Sequence, residues 1–372
     1  MLWKQVYKIV SIADIHFGAL DAKYMYNTLK EQFVQRIAPL DFDILIVAGD
    51  LFDSKFMSNN PIITYAIQFV NDLVNICSMK GASLILLAGT YSHDNGQLNL
   101  FYHYISDSNV DIHIVENMEF VNAKGLRILC IPELYNVSKE EYEYYLYGSG
   151  RYDVCTLHGT FKDSFKGSEI ASLNGNKSPV FSMSNFINCA GPILMGHYHK
   201  AGCYQEYAYY NGCPIRFRFG EEEDKGFLVT LYNPYERTHY TELVPIESYI
   251  YRTISIDHIL NNDPKDIIEY IKHQKEENGI DFIRVQFTKS NENMNIVRNY
   301  FRNNGSVKLQ ELGWQQEQLK RVDQEIIEQN AQYSFLVDPA INEYDKFVTY
   351  VNQNEGYEFL TTEELIKILE EI

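Results

Sequence analysis

The sequence has no closely spaced cysteine pairs. Its six cysteines are scattered along 372 residues, and no two have the spacing of a zinc knuckle. Several of them lie in apolar, strand-like runs, where a buried free thiol is the ordinary interpretation. The cysteine pattern therefore excludes a zinc-knuckle module and fits a reducing compartment.

Basic residues are scarce relative to acidic ones. Lys and Arg together number 32 against 50 Asp and Glu, which gives a formal net charge of −18. A protein that coats nucleic acid must neutralise phosphates with a basic surface, so the charge argues against that class. Contact with nucleic acid would then depend on bound divalent cations, which reverse the local sign of charge, on local basic patches or on a basic partner.

Long apolar runs are also missing. No stretch has transmembrane length, and the first residues do not form a signal-peptide pattern. We therefore expect a cytoplasmic protein with no membrane association. Because 45% of the residues are hydrophobic, the chain is expected to fold, and its length suits one large domain plus one or two smaller ones.

The sequence does contain a repeated alternation of apolar strands and helical patterns. The predicted strand and helix pairs are 7–14 with 22–38, 42–50 with 60–79, and 82–89 with 97–107. Near-continuous apolar strands between helices indicate a sheet with helices packed outside it. The strand patterns continue through "DIHIV", "LRILCIP" and "YDVCTLH", and the chain becomes all-β between about 200 and 245. We predict an α/β fold with a two-layer β-sandwich core flanked by helices.

We divide the chain into three parts. Residues 1–247 form the large domain, and residues 248–312 have a β-α-β-α pattern that predicts a small α+β cap domain. Residues 313–372 contain helical patterns and form a helical tail. The tail helices carry apolar stripes that need a surface to bury against, either on the parent domain or on a protein partner.

Residues that bind metals or carry protons follow the ends of the predicted strands. They occur in the stretches "IADIH", "AGDLFD", "GTYSHD", "CTLHG" and "MGHYHK", and they are Asp14, His16, Asp50, Asp53, His93, Asp94, His158, His197 and His199. The carboxyl ends of strands in a layered α/β sheet are where sites are built. We therefore expect these side chains to meet.

Each of these motifs has an ordinary structural explanation when it is taken alone. Asp14 and His16 would point to opposite faces of a regular strand, so both can bind one ion only if the strand ends there. Asp50 after a glycine is equally suited to cap a helix, and His158 to be a hydrogen-bonded core histidine. Five such motifs, each at a strand end, are much more specific than any one, and they favour a metal centre.

The predicted ligands are imidazole nitrogens and carboxylate oxygens, without thiolates. This donor set suits manganese, iron, zinc or, less well, magnesium, and it argues against a structural zinc site. Two cations roughly 3.5–4 Å apart can share one carboxylate and activate a water that attacks a phosphate ester. We predict two divalent cations, with manganese preferred.

The calcineurin-like metallophosphoesterases have a similar series of motifs in the same order. In this chain the series is Asp14-x-His16, Gly49-Asp50-x-x-Asp53, Gly89…His93-Asp94, His158 and Gly196-His197-x-His199. It resembles more closely the SbcD-type (Mre/Sbc) DNA double-strand-break repair nucleases, including their phage counterparts. The segment "YYNGCPIRFRFGEEEDKGFLV" at 209–229 is similar to one in that branch. The resemblance covers residues 7 to about 245, and over 249–310 only the β-α-β-α pattern matches the family's DNA-facing cap.

The resemblance implies a role for each matched residue. The implied ligands are Asp14, His16 and His199 for one cation, His158 and His197 for the other, and Asp50 as a bridge between them. His93 would be an imidazole that binds no metal and orients or protonates the leaving group. A neighbour such as Asp94 or Asp53 would hold its tautomer.

One position departs from the family pattern. The family normally has Gly-Asn-His-Asp, with the Asn amide oxygen on the second metal, whereas this chain has Gly-Thr-Tyr-Ser-His-Asp at 89–94. Alignment from His93 puts Ser92 at the Asn position, and alignment from Gly89 puts Thr90 there. We favour Ser92, because the catalytic geometry is anchored at His93. A neutral hydroxyl is a poorer ligand than an amide carbonyl, so we expect a weaker second metal site.

The resemblance implies a manganese-dependent DNA nuclease, a double-strand exonuclease and single-strand endonuclease in DNA end processing, repair or recombination. It further implies docking of the tail on the coiled-coil base of an SMC-like (SbcC-type) ATPase, and a homodimer through the outer helices of the first domain. The expected location is the cytoplasm of a bacterium or a phage-infected host, close to the nucleoid. Two rival functions are a phosphoesterase for small phosphates or phosphoproteins, which the acidic charge would suit, and an inactive scaffold for the ATPase.

A possible phosphate contact lies within the 209–229 segment. Arg216 and Arg218 alternate with Phe217 and Phe219 in a predicted strand. The pattern is equally compatible with two roles for the arginines. They could contact phosphate groups, or they could simply form one face of a sheet edge.

Overall fold

A computed structural model describes residues 6–312, except residues 95, 108, 136, 162–179 and 205–206. The predicted helical tail at 313–372 lies outside the described residues. The chain divides into two compact units, with boundaries between Arg252 and Thr253, between Gln274 and Lys275, and between Phe282 and Ile283.

The elements are numbered in chain order. The strands are β1 Tyr7–Ile12, β2 Ile44–Ala48, β3 Ser83–Leu87, β4 Asp111–Val115, β5 Glu119–Ala123, β6 Leu126–Ile131, β7 Val154–His158, β8 Thr160–Phe161, β9 Val180–Phe181, β10 Ile193–Gly196, β11 Gly202–Tyr204, β12 Ala208–Tyr210, β13 Gly226–Asn233, β14 Thr238–Pro245, β15 Tyr251–Ser255, β16 Phe282–Phe287 and β17 Val307–Glu311. The α-helices are α1 Ala22–Leu29, α2 Gln35–Ile37, α3 Pro61–Lys80, α4 Tyr91–Asp94, α5 His103–Asp107, α6 Lys139–Glu143, α7 Pro264–Glu277 and α8 Glu292–Phe301. A π-helical turn over Lys30–Val34 joins α1 to α2.

Two six-stranded sheets form the core of the first unit. Their strand orders are β14-β13-β1-β2-β3-β4 and β11-β12-β10-β7-β6-β5. Strands β1 to β4 are parallel, and so are β6, β7, β10 and β12. Since parallel strands end at the same edge of a sheet, each sheet gathers several strand exits at one edge.

Side-chain alternation along the strands builds the layers. On β2, Ile44 and Ile46 pack into a cluster that contains residues of both sheets, while Leu45 and Val47 pack against the helical layer formed by α1 and α3. The outer face of the second sheet is covered by a separate cluster that includes Phe186. Both faces of each central strand are buried, which explains the near-continuous apolar runs. The predicted α/β fold with a two-layer sheet core and flanking helices is confirmed.

Helix α3 illustrates how the local sequence sets an element. The Asn60 side chain accepts a hydrogen bond from the Ile62 N–H at 2.9 Å, Pro61 occupies the first turn, and Gly81 ends the helix at φ +59°. By length and composition alone α3 is apolar enough to cross a membrane, so the sequence-based expectation that no stretch has that length was wrong. Its apolar face, which includes Phe69 and Leu73, packs into the core, so it is a core helix of the fold.

The second unit is smaller. Its strands belong to a three-stranded sheet with the order β15-β16-β17, in which β16 and β17 are parallel. Helix α7 buries Ile267 and Ile271, and helix α8 buries Met294 and Val297. The β-α-β-α pattern read from the sequence is therefore present, followed by a third strand that was not predicted.

Two local predictions were wrong. The helix at 97–107 is interrupted, because Leu98 to Phe101 form a 3₁₀ turn in which both of these residues are buried. Phe217 and the arginines beside it lie in a loop instead of a strand. There the Phe217 N–H donates to Glu221 Oε2 at 2.8 Å, and the Arg216 guanidinium donates to the Glu223 carbonyl at 2.9 Å. These contacts fold the segment back on itself.

Candidate metal centre

The first two candidate ligands follow the end of β1. The strand stops at Ile12, and both Asp14 and His16 have φ +51°, in the left-handed region that non-glycine residues rarely adopt. The Asp14 N–H donates to the Gly49 carbonyl and the His16 N–H to the Asp50 carbonyl, each at 3.0 Å. The chain thus leaves the strand before the motif, as binding of one ion by both residues requires.

Glycines let the neighbouring turns come close together. A Cβ atom at Gly49 would lie 2.1 Å from His158 Nδ1, and one at Gly89 would lie 2.2 Å from Asp50 Oδ1. Both positions therefore exclude every other residue type unless the turn shifts. The exits of β2, β3 and β7 meet because these two residues have no side chains.

The first group of donors consists of Asp14, His16 and His199, whose ligand atoms all lie within 4.8 Å of one another. His16 Nε2 is 3.0 Å from His199 Nε2 and 3.6 Å from Asp50 Oδ2. Asp14 is fully buried, and His16 is nearly so. Two imidazole nitrogens that face each other so closely in a buried site are arranged as ligands of a shared cation.

The second group lies beside the first. His158 Nε2 is 3.3 Å from Asp50 Oδ2, and His197 Nδ1 is 3.4 Å from Glu133 Oε2. The Asp50 carboxylate also forms part of a set with Asp14 and His158 and of a set with His16 and His93. Asp50 therefore stands between the two groups, the position that the resemblance implied for a bridging ligand.

Hydrogen bonds on the far side of the rings fix the tautomers. His158 Nδ1 donates to the Ala48 carbonyl at 2.8 Å, which leaves Nε2 directed at the carboxylates. His199 Nδ1 is 3.4 Å from Glu221 Oε1, which likewise leaves its Nε2 for the centre. The His197 N–H donates to both oxygens of Asp14, at 2.9 and 3.1 Å, and so holds that carboxylate in place.

Charge in the centre is shared between carboxylates and imidazoles. Burial lowers the pKa of His158, but the charge and hydrogen bond of Asp50 outweigh it and raise the pKa to about 10. Burial opposes ionisation of Glu133, but His197 outweighs it and lowers the pKa of that carboxyl to about 2. Burial, aided by neighbouring imidazoles, lowers the pKa of His16 to about 3. In the metal-free centre, carboxylate oxygens therefore face protonated imidazoles. A divalent cation would displace the imidazole protons when it binds.

His93 lies at the edge of the centre, with its ring centroid 4.9 Å from that of His16. Its Nδ1 is 3.2 Å from the Phe52 carbonyl, which leaves Nε2 free to exchange a proton. The expectation that Asp94 or Asp53 holds this tautomer needs correction, because both carboxylates are engaged elsewhere. Asp94 is buried and accepts backbone N–H groups from both adjoining turns. Asp53 is partly exposed, with Oδ1 3.7 Å from His16 Nδ1.

The loop that lacks the family's Asn brings Thr90, and not Ser92, into the centre. Thr90 Oγ1 donates to Glu133 Oε2 at 2.8 Å, and it lies 3.2 Å from Asp50 Oδ2 and 3.4 Å from His158 Nε2. Ser92 is exposed, because the short helix α4 begins after Thr90 and turns its side chain outward. The geometry favours alignment from Gly89, the alternative that the sequence reasoning had placed second.

Sequence reasoning missed two residues of the centre. Glu133 lies two residues beyond the end of β6, so the strand-end rule that identified the other ligands also applies to it. Glu221 lies in the 209–229 segment, where its contact with His199 depends on how the loop folds. Of the two arginines of this segment, Arg216 is bound to the loop backbone, whereas the Arg218 side chain is 75% exposed beside Glu221. Arg218 is therefore the one of this pair that a phosphate can reach.

Comparisons with known proteins agree with this arrangement. A family model described as calcineurin-like phosphoesterase matches residues 7–201, more than half of the chain. Protein 244L of Invertebrate iridescent virus 6, which carries a phosphoesterase name, is 22% identical over 248 residues that cover 64% of this chain and 80% of that protein. A cold-active protein-tyrosine phosphatase of a psychrophilic Shewanella species is 12% identical, with a TM-score of 0.29 over 63% of this chain and 80% of that one. A structural likeness this weak carries no argument about the substrate.

Proposed function

The chain belongs to the calcineurin-like phosphoesterase family, and we propose that it is a manganese-dependent DNA nuclease. Members of this family are dinuclear metal-dependent hydrolases of phosphoester bonds. The observation that carries the hydrolase function is the meeting of oxygen and nitrogen donors at the ends of β1, β2, β7 and β10. The choice of DNA as substrate rests on the resemblance of residues 209–229 to the SbcD-type nucleases.

The residues present fit a pair of divalent cations. Asp14, His16 and His199 would hold one, His158 and His197 the other, and Asp50 would bridge them. Within these groups the neighbouring donors lie 3.0 to 3.6 Å apart. Ligands bound to one cation at about 2.1 Å are separated by roughly 3.0–3.4 Å, so the spacing suits shared coordination. These donors suit manganese, iron, zinc or, less well, magnesium, and the resemblance to the SbcD-type nucleases supports the choice of manganese.

When bound, the two cations would polarise the phosphoryl oxygen and lower the pKa of water. The chain's own contribution is to hold and move protons. His93 is directed by the Phe52 carbonyl so that its Nε2 can give a proton to the departing oxygen. After the transfer the neutral ring keeps its Nδ1 hydrogen, which the same carbonyl accepts. The Asp14 carboxylate is held in place by the His197 backbone N–H, which donates to both of its oxygens.

A phosphoesterase for small phosphates or phosphoproteins remains the second candidate. The net charge of −18 suits a substrate other than a long polyanion, and the viral relative carries only a phosphoesterase name. DNA binding would depend on the bound cations and on local basic side chains such as Arg218, whose exposed guanidinium lies beside the centre.

The proposal extends to partners. The nuclease would act with an SMC-like coiled-coil ATPase that docks on the tail at 313–372, and as a homodimer through the outer helices of the first unit. It would work in the cytoplasm, on DNA ends during repair or recombination. The resemblance to the SbcD-type nucleases supports these assignments.

Digestion of linear duplex DNA with manganese, with and without the ATPase, tests the function. A matched assay uses a small phosphodiester, and His93→Ala serves as the control for the chemical step. Cleavage of DNA that requires manganese supports the nuclease. Cleavage of the small ester alone would favour the second candidate, and loss of both would favour an inactive scaffold.

Replacement of His93 by Ala should remove proton transfer without removing a ligand. We expect kcat to fall by about 10²–10⁴-fold, the usual contribution of a positioned acid or base. Manganese stoichiometry, measured by equilibrium dialysis and elemental analysis, should stay at the wild-type value. A variant that loses a cation together with its activity would show that His93 is a ligand instead.

A further inference from the structure

The second cation has fewer oxygen donors than the family pattern supplies. The family places an Asn amide oxygen beside the two histidines, and this chain has no Asn between Gly89 and His93. The structure brings a different oxygen to this side of the centre. Glu133 follows β6, and its side chain is 1% exposed.

The two oxygens of Glu133 have different surroundings. Oε1 accepts a hydrogen bond from the Tyr135 hydroxyl at 2.9 Å, which fixes the orientation of the carboxylate. Oε2 faces the centre, where it accepts from Thr90 Oγ1 at 2.8 Å and lies 3.4 Å from His197 Nδ1. The ligand atoms of Glu133, His158 and His197 all lie within 4.8 Å of one another.

These distances are those of ligands around one ion. The separation of 3.4 Å between Glu133 Oε2 and His197 Nδ1 exceeds the roughly 2.7–3.2 Å of an ordinary N–H···O hydrogen bond. It matches the roughly 3.0–3.4 Å expected between two ligands of a cation bound at about 2.1 Å. A carboxylate held so deeply in the protein also needs a positive partner, because burial of an unpaired charge is strongly unfavourable.

We propose that Glu133 Oε2 is a direct ligand of the cation held by His158 and His197, in place of the family's neutral amide. The inference rests on the proposed function, because it names a ligand of the same dinuclear centre. Thr90 then links Glu133 to Asp50 through its hydroxyl. A carboxylate adds a negative charge where the amide has none, so it strengthens the attraction of the second site for its cation. This opposes the weakening expected from the sequence when a hydroxyl replaces the amide.

Manganese binding by Glu133→Gln tests the inference without use of activity. Isothermal titration and elemental analysis should give two manganese ions per chain for the wild type. In Glu133→Gln the second dissociation constant should rise about tenfold or more, since even residues behind the ligands contribute 10–100-fold to affinity. The electron paramagnetic resonance signal should change from that of a coupled pair to that of an isolated ion.

Two further variants separate a lost ligand from a damaged fold. Glu143→Gln makes the same chemical change at a partly exposed position on α6 and should bind two ions as the wild type does. Adding Thr90→Asn to Glu133→Gln supplies the family's amide oxygen and should recover part of the second affinity. Thermal unfolding of each variant in chelator shows whether the metal-free fold is intact.

The outcomes distinguish this inference from the function beneath it. If Glu133→Gln is folded and binds two ions with wild-type affinity, the second cation does not need the carboxylate of Glu133 and the inference is overturned, although the dinuclear centre stands. If Thr90→Asn restores nothing while Glu133→Gln unfolds in chelator, the role of Glu133 is structural and the inference is overturned. If the wild type binds no manganese, the proposed function itself fails.

Discussion

The Thr90 hydroxyl contacts three polar groups of the centre at once, Asp50, Glu133 and His158. Thr90→Val keeps the shape of the side chain and removes these contacts. Because hydrogen bonds to charged groups contribute about 1.5–3 kcal/mol, we expect manganese affinity to fall by roughly 10–100-fold. Titration calorimetry measures the change.

The matched control is Ser92→Ala, two residues farther along the same loop. Ser92 is exposed, and exposed substitutions usually change stability by less than about 0.5 kcal/mol. We therefore expect manganese affinity and kcat to stay close to those of the wild type. If Ser92→Ala lowered manganese affinity as much as Thr90→Val, Ser92 and not Thr90 would stand at the family's Asn position, as alignment from His93 places it.

The backbone of the ligand residues is itself unusual. Asp14, His16, Asp50 and His197 all have positive φ values, between 51° and 100°. Each such residue costs on the order of 1–3 kcal/mol and persists only where its surroundings determine the conformation. For Asp14, His16 and Asp50 the backbone hydrogen bonds between the β1 and β2 exits supply that constraint, and for His197 the hydrogen bonds from its N–H to the Asp14 carboxylate do so. The strain is therefore located at the residues that direct the donors inward.

At the scale of elements, the centre depends on turns that follow parallel strands. The turn after β2 and the turn after β3 are joined by one buried side chain, Asp94, on α4. Its carboxylate accepts from the N–H groups of Gly89 at 2.9 Å, Phe52 at 3.1 Å and Leu51 at 3.3 Å. Asp94 thereby holds together the turns that carry Asp50 and His93.

Asp94→Asn should loosen this junction. An amide offers one acceptor oxygen, and its NH₂ group would face a backbone donor. We expect the free energy of unfolding to fall by about 1–3 kcal/mol, because a buried backbone N–H that the Asp94 side chain accepts from is left unpaired. Urea denaturation in chelator measures the change, with Asp53→Asn, at a partly exposed carboxylate, as the control. Equal stability of the two variants would show that Asp94 does not join the turns.

At the scale of the whole molecule, metal binding and stability should be linked. The pKa of His158 is raised to about 10 by Asp50 against the effect of burial, and that of His199 is raised to about 10 by Cys213 and Glu221 against burial. Both rings therefore hold protons at neutral pH in metal-free protein. Cations must displace these protons, so apparent affinity should rise from pH 6.5 toward pH 10.

Thermal unfolding can follow this linkage. Manganese at about 100 times its dissociation constant should add about 2.7 kcal/mol per site, and chelator should remove the gain. At one fixed manganese concentration the rise in Tm should be larger at pH 8.5 than at pH 6.5, because the apparent affinity is higher at pH 8.5. In chelator alone the Tm itself should be higher at pH 6.5 than at pH 8.5. A histidine whose pKa is raised in the folded state stabilises the fold below pH 6.5, and this stability is lost toward pH 10. A manganese effect independent of pH would mean that His158 and His199 do not bind the cations.

The α/β core could be predicted from the sequence because its signals are local. Continuous apolar runs such as β2 and β3, with helix caps such as Asn60 and Gly81, report burial and element type within a few residues. The edge strands β5 and β17 have exposed positions and weaker alternation, so they were missed. The loop around Phe217 was mistaken for a strand because its alternation with arginine imitates one.

The sequence by itself determined the donor types and their places at strand ends, because strand direction and ligand chemistry are both encoded locally. Tertiary structure alone decided three further points: that Thr90 and not Ser92 enters the centre, that Glu133 faces His197, and that the Phe52 carbonyl orients His93. Each depends on turns that follow separate strands and come within a few ångströms of one another, either within one sheet or between the two sheets. No periodicity in the chain records such a distance, since it is set by packing between residues far apart in sequence.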